Sequence, residues 1–204
     1  MKKFSFLFVL VLFVACNNTN SSNNNSAPAN VNGDEYIFED IPGTVVQRVK
    51  KLDAKNNVIE EGFVKDGLKT GEWVTYSKDK IYVSTITPYL NGKLNGTYFE
   101  FDKRGYLVSQ AGFKNDELDG RVIKYLYGKP TEVSEFKNGK LDGTKRVYSR
   151  SGQIQEEVEY KNGKVNGFMR YYNDEGQKIM EYEYKNGKKI GGGEVNNKID
   201  NTPR

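Results

Sequence analysis

The sequence predicts an all-β protein, a single-layer, elongated antiparallel β-meander built from about six β-hairpin repeats of 24 residues. Three observations predict it. A glycine recurs at Gly71, Gly96, Gly120, Gly143, Gly167 and Gly191, in steps of 25, 24, 23, 24 and 24 residues. Aromatic residues keep register with it: Tyr76, Phe101, Tyr125, Tyr148 and Tyr172 stand five after, and Tyr89, Phe113, Phe136, Tyr160 and Tyr184 seven before. Such self-similarity over a long span marks a repeat architecture. Finally, apolar and polar residues alternate between turn signals, as where Ile154, Val158 and Tyr160 interleave with Gln155, Glu157 and Glu159. Period two means strand. No stretch after residue 33 shows a helical stripe.

Residues 1–15 stand apart from this pattern. Lys2 and Lys3 precede an almost wholly apolar run from Phe4 to Phe13. That is the layout of a secretory signal, and the run is too short for a permanent membrane helix. Phe13-Val14-Ala15-Cys16 resembles the lipobox of bacterial lipoproteins, with Phe13 in place of the usual leucine. The resemblance implies cleavage before Cys16, the only cysteine, and acyl chains on its thiol and amine. Several chains anchor far better than one. No other cofactor is expected.

Residues 16–33 then form the expected tether. Asn and Ser dominate from Asn17 to Gly33, without a charge, and Val31 is the one apolar residue larger than Ala. Such a composition buries too little surface to offset the cost of ordering.

The repeat array is expected over 34–195. A degenerate unit opens it, with Leu52, Asn56 and Val64 spaced as Tyr148, Gly152 and Tyr160 are. Each later unit has two turn signals. Lys-Asn-Gly-Lys at 137–140, 161–164 and 185–188 suits a type I′ hairpin turn, because Asn-Gly tolerates φ > 0 at both central positions. Gly92, Gly139, Gly163 and Gly187 are its glycines. A second glycine, at Gly105, Gly128, Gly152 and Gly176, suits a longer turn ending in a left-handed residue; Lys80 holds its place in the first unit. The aligned glycines Gly96, Gly120, Gly143 and Gly167 fall inside strands, where a regular glycine suggests a bulge or a ring lying over bare backbone. Two strands per unit advance about 10 Å. With no second layer to cover the sheet, its core is expected to be the aromatic ladder. Residues 196–204 are expected to be a disordered tail.

The units resemble the MORN-repeat variant family of bacteria. Its unit runs aromatic-x-Asn-Gly-Lys-x-x-Gly, an aromatic five on, then a turn glycine. "YKNGKVNGFMRYYNDEG" (160–176) matches throughout and "VKDGLKTGEWVTYSKDK" (64–80) more loosely, while "FKNDELDG" (113–120) has Asp116 in place of the turn glycine. The resemblance implies a scaffold for protein or membrane contacts. Some such proteins look like YwqK-type antitoxins, which makes a toxin one candidate partner. The family brings no catalytic residues.

Composition narrows the function. The chain has no histidine, which excludes His-based triads and His-metal sites. The formal charge of +4 falls when Lys2 and Lys3 leave, and opposite charges are interspersed, so the basic stripe of a nucleic-acid binder is missing. Acidic residues at Asp116, Glu117 and Asp119, or at Asp174 and Glu175, read as solvated turn charge. Glu157, Glu159 and Glu181 read as the outward face of the sheet and a possible partner face. The aromatic ladder reads as packing, with an exposed row gripping sugars or a partner as the alternative. The expectation is a non-enzymatic, lipid-anchored envelope scaffold that binds a protein, in the outer membrane where two membranes exist. Its alternatives are an immunity or antitoxin protein and an envelope carbohydrate-binding module.

Overall fold

A computed structural model of the chain describes residues 29, 31, 33–77 and 82–195. Cys16 with its lipobox, most of the tether, Lys80 and the tail 196–204 lie outside the described residues. A 3-10 turn, Gly33–Glu35, leads into strands β1 (Ile37–Asp40), β2 (Val46–Leu52), β3 (Val58–Lys65), β4 (Leu68–Tyr76) and β5 (Val83–Leu90). There follow β6 (Lys93–Leu94), β7 (Gly96–Phe101), β8 (Leu107–Lys114), β9 (Glu117–Leu126), β10 (Lys129–Lys137) and β11 (Lys140–Leu141). The last are β12 (Gly143–Tyr148), β13 (Ile154–Lys161), β14 (Lys164–Tyr172), β15 (Lys178–Lys185) and β16 (Lys188–Glu194). All belong to one open antiparallel sheet in which consecutive strands pair, except that β6 and β7 both pair with β5, and β11 and β12 both pair with β10. Asn95 and Asp142 interrupt what would otherwise be single strands, giving the short β6 and β11. The fold class is therefore the expected meander.

Strict meander order sends successive turns alternately to the two margins of the sheet. One margin carries the five-residue β1–β2 connection, residues 41–45, and from β3 onward two-residue turns whose central residues both have positive φ. The pairs are Asp66 and Gly67 at 52° and 75°, Asn91 and Gly92 at 50° and 77°, and Asn138 and Gly139 at 49° and 73°. Asn162–Gly163 and Asn186–Gly187 repeat this geometry, which is that of type I′. At Asn115–Asp116 the missing glycine changes nothing, since Asp116 itself takes φ 70°. Short polar side chains visit this region at little cost. The other margin carries the longer turns, ending at Asn56 and at Gly105, Gly152 and Gly176, all with positive φ.

Two details differ from expectation. Gly128 does not close a longer turn. It is the second residue of a two-residue turn whose first is Tyr127, at φ 52°, and this shortened turn accounts for the single 23-residue step. Gly191 also leaves the pattern: the positive φ of the last unit moves to Gly192, at 94°.

The strand glycines Gly71, Gly96, Gly120, Gly143 and Gly167 all have positive φ, from 67° to 122°. Around Gly71, Gly120 and Gly167 the pairing register to the preceding strand shifts, as between Ala111 and Phe113 or Val158 and Tyr160. These are bulges, which bend the strand and increase its twist.

The core is thin and is not the ladder. Among the described residues the buried apolar side chains are Val31, Val49, Val64, Trp73, Ala111, Ile123, Val133 and Val158, whereas all ten ladder rings are only half-buried. Ordered structure also reaches into the expected tether. Val31 packs with Val49, Val64 and Trp73, and Tyr36 and Tyr89 lie against that cluster. The Val31 N–H donates to the Gly67 carbonyl at 3.1 Å and the Ala29 N–H to that of Gly92 at 2.7 Å. Val31 was the tether's single large apolar residue, and burial is where such a residue gains most.

Candidate interaction surfaces

The sequence-derived candidates lie on the sheet faces and on its two margins. On one face the pairing register builds a continuous cross-strand row. Glu61 pairs with Val74, Val74 with Ile86, Ile86 with Phe99, Phe99 with Gln110 and Gln110 with Ile123. Ile123 then pairs with Val133, Val133 with Arg146, Arg146 with Glu157, Glu157 with Arg170 and Arg170 with Glu181. Directly opposed residues share a face. The row is thus apolar through the middle of the sheet, apart from Gln110, and alternately charged at its C-terminal end.

The three candidate glutamates do come together, on Arg170. Its Nη1 lies 3.0 Å from Glu157 and 2.8 Å from Glu159, and its Nε 2.9 Å from Glu181. Arg146 reaches Glu157 at 2.7 Å, and Lys178 reaches Glu181 at 2.7 Å. Burial alone would lower the Arg170 pKa, but its bonds to Glu159, Glu181 and Glu157 outweigh that and raise it. Hydrogen bonds from Lys178 and Arg170 hold the Glu181 carboxyl below its ordinary range. These carboxylates are already satisfied by the sheet itself. They are gathered by Arg170, whose position opposite Glu157 and Glu181 follows from the register.

The aromatic ladder divides by partner. Tyr89 joins an N-terminal cluster in which Trp73 meets Tyr36 and Tyr89 edge-on, at 5.9 and 6.3 Å between ring centroids. Lys69 Nζ sits 3.8 Å from the Trp73 centroid and forms a 2.8 Å ion pair with Glu60. The Tyr36 hydroxyl donates to Glu60 at 2.6 Å, and burial followed by that carboxylate pushes its pKa well up. Phe113 meets Tyr98 at 6.4 Å, and burial pushes the Tyr98 hydroxyl up to about 12. Tyr76 donates to Glu61 at 2.5 Å, a bond that raises its pKa to about 12, and Tyr125 donates to Gln110 at 3.0 Å. Phe101, Phe136, Tyr148, Tyr160, Tyr172 and Tyr184 are half-buried.

At Gly71 the Phe63 ring stands 3.6 Å from where a Cβ would go, but at Gly96, Gly143 and Gly167 no ring fills that place. A Cβ at Gly143 would meet the carboxylate of Glu135 and stand 2.9 Å from its Cβ; at Gly167 it would meet Glu159 in the same way. At Gly96 it would meet Pro88. The ladder rings Tyr89, Phe113, Phe136, Tyr160 and Tyr184 are instead the cross-strand partners of Gly71, Gly96, Gly120, Gly143 and Gly167. A ring does cover bare backbone at Gly62, where a Cβ would collide with the Trp73 indole.

The short-turn margin is stitched by groups that sequence reasoning passed over. The N–H groups of Gly139, Gly163 and Gly187 donate to the carbonyls of Leu118, Leu141 and Val165, at 2.7 to 2.8 Å. The preceding Asn N–H groups donate to side chains standing just before the strand glycine of the preceding unit. Asn138 bonds Asp119 at 3.2 Å, Asn162 bonds Asp142 at 3.1 Å and Asn186 bonds Asn166 at 3.1 Å. The signal was present in the recurrent Asp or Asn before Gly120, Gly143 and Gly167. Asp116 and Asp119 are therefore structural acceptors, Asp116 receiving the Leu94 N–H at 2.7 Å. Shallow depressions of about 230 Å³ beside Arg48, Glu61 and Phe63, and about 340 Å³ beside Gly143, Glu159 and Tyr160, mark the sheet surface.

Compared with known proteins, the chain matches no family model and no curated protein at a significant level.

Proposed function

We propose that this chain is a non-enzymatic, lipid-anchored scaffold of the cell envelope, a MORN-variant array that binds a protein partner. The observation that supports this most is the open single-layer sheet of near-identical hairpins, which turns both faces and both margins into surface. The lipobox-like residues ending at Cys16 support the anchor, and the unit motif supports the scaffold role. The outer membrane is the proposed site of anchoring in a two-membrane cell. Detergent phase separation and mass spectrometry of the mature N-terminus test the anchor. Wild type should enter the detergent phase with acyl mass on Cys16, and Cys16→Ser should not. An unlipidated wild type in the aqueous phase contradicts it. Crosslinking in intact cells, read by mass spectrometry, tests the scaffold: one protein should be captured reproducibly, and capture of none would sink the reading.

A further inference from the structure

The array copies itself closely, so a unit that breaks the pattern at a cost calls for a reason. Among the described residues, Tyr127 is the one positive-φ residue that is neither Gly, Asn nor Asp. A bulky residue in the left-handed region is strained, and such strain clusters at functional positions. Its ring is 74% exposed, beside Leu126 at 46%. One unit earlier Tyr106, 53% exposed, ends the Asp102–Tyr106 turn on the same margin. Gln153 and Gln177 hold the matching place in the later units. Arg104 bridges the two rings, its guanidinium 5.2 Å from Tyr106 and 5.6 Å from Tyr127. Tyr82 continues the row, its ring against Gly105.

Resting on the scaffold reading, we infer that this tyrosine–arginine margin is the partner-binding surface and that it takes an acidic, apolar-anchored segment of a protein. Exposed Tyr and Arg are the residues that dominate protein interfaces, because rigid rings offer area at little entropy cost. Charge selects the partner. Asp102 pairs Arg104 at 3.0 Å, whereas the exposed Lys103 and Lys129 have no ion-pair partner among the described residues. Two such lysines attract carboxylates but fall short of the four to eight basic residues that recruit anionic lipid. A sugar platform needs open ring faces, and Arg104 already covers one face of each ring.

The test uses the detergent-solubilised full chain and three immobilised probes: a random Glu–Tyr copolymer, vesicles of zwitterionic and anionic phospholipid, and an anionic polysaccharide. The double variant Tyr106→Gln, Tyr127→Asn installs residues that sister turns already use, so it should fold and melt no lower than wild type. The expected result is binding of wild type to the copolymer, weakened about tenfold or more in the variant, as loss of hot-spot residues does. Equal copolymer binding by both proteins overturns the proposal. So does preference of wild type for vesicles or polysaccharide. Wild type that binds no probe also overturns this surface, while the scaffold reading stands or falls separately on protein capture in cells.

Discussion

The two ends of this sheet use the same hairpin and are held by different forces. Across β2 to β5, Trp73, Val49 and Val64 are almost fully buried, and Val31 from the preceding segment closes over them. Across β12 to β16, Val158 is the one buried hydrophobic side chain among the described residues. There Arg146, Glu157, Arg170 and Glu181 stand in a cross-strand row and bind one another. The turns, bulges and backbone ladder are common to both ends. A repeat therefore fixes the geometry of a unit without fixing what fills its face. Burial is worth about 25 cal/mol per Å² and is not screened by salt, whereas partly exposed ion pairs are weak and screened. The C-terminal end should be the looser one.

The largest expected effect breaks the N-terminal end. Trp73→Ala removes the largest buried side chain, opens the space over Gly62 and strips Tyr36, Tyr89 and Lys69 of their ring. A loss of about 3–5 kcal/mol is expected in a denaturant titration. A loss below about 1 kcal/mol would mean that Trp73 is no keystone.

Next comes a change that attacks the shared geometry. Gly143→Val places a branched side chain at φ 122° against Glu135. Overpacking alone costs about 1–3 kcal/mol, and the backbone strain adds to it. Because Gly143 opens β12, hydrogen exchange should rise in β12 and β13 before it rises in β3. A melt superimposable on wild type would contradict the account of Gly143 as a positive-φ position crowded by Glu135.

The smaller effect sharpens the C-terminal side. Changing Glu157, Glu159 and Glu181 to Gln leaves the Arg170 guanidinium, 20% exposed, without a carboxylate. The expected loss is about 1–2 kcal/mol, between that of an exposed pair and a buried one. The same change at free surface residues stays within about 0.5 kcal/mol. Added salt should narrow the gap between variant and wild type; a gap that persists in high salt points to lost packing instead.

How much of this was legible follows from which interactions are local. Asn162–Gly163 takes φ > 0 for reasons contained in two residues, so the two-residue turns and the meander could be read directly, though about six hairpins fell short of the sixteen strands. The ten ladder positions gave the register, because a fixed spacing from a bulged glycine repeats with it. What fills the space beside a strand glycine was not legible. It depends on which side chain of the preceding strand crosses the bulge, and Glu135 and Glu159 do so instead of a ring. Arg170 was missed likewise, since pairing it with three glutamates needs the register of three strands. Tyr127 had left a trace in the 23-residue step, but the shortened turn behind it needed φ. Val31 had left one too, as the lone apolar residue of a polar stretch.

The central claim, that burial holds one end and charge the other, meets its most direct test in hydrogen exchange of the full chain at neutral pH and near pH 3, corrected for intrinsic rates. Lys178 and Arg170 hold the folded Glu181 carboxyl below its unfolded value, and Lys161 with the Asn162 N–H does the same for Asp142. Their contribution is therefore present above the unfolded carboxylate range, about pH 4, and is lost as pH falls through the folded values. At the other end Glu35 is lowered as well, by Lys51, but this exposed pair meets the Trp73 cluster only at the outer ring of Tyr36. The account predicts that β13 to β15 lose protection in acid while β3 and β4 keep theirs. Uniform loss along the sheet, or earlier loss at β3 and β4, would contradict it.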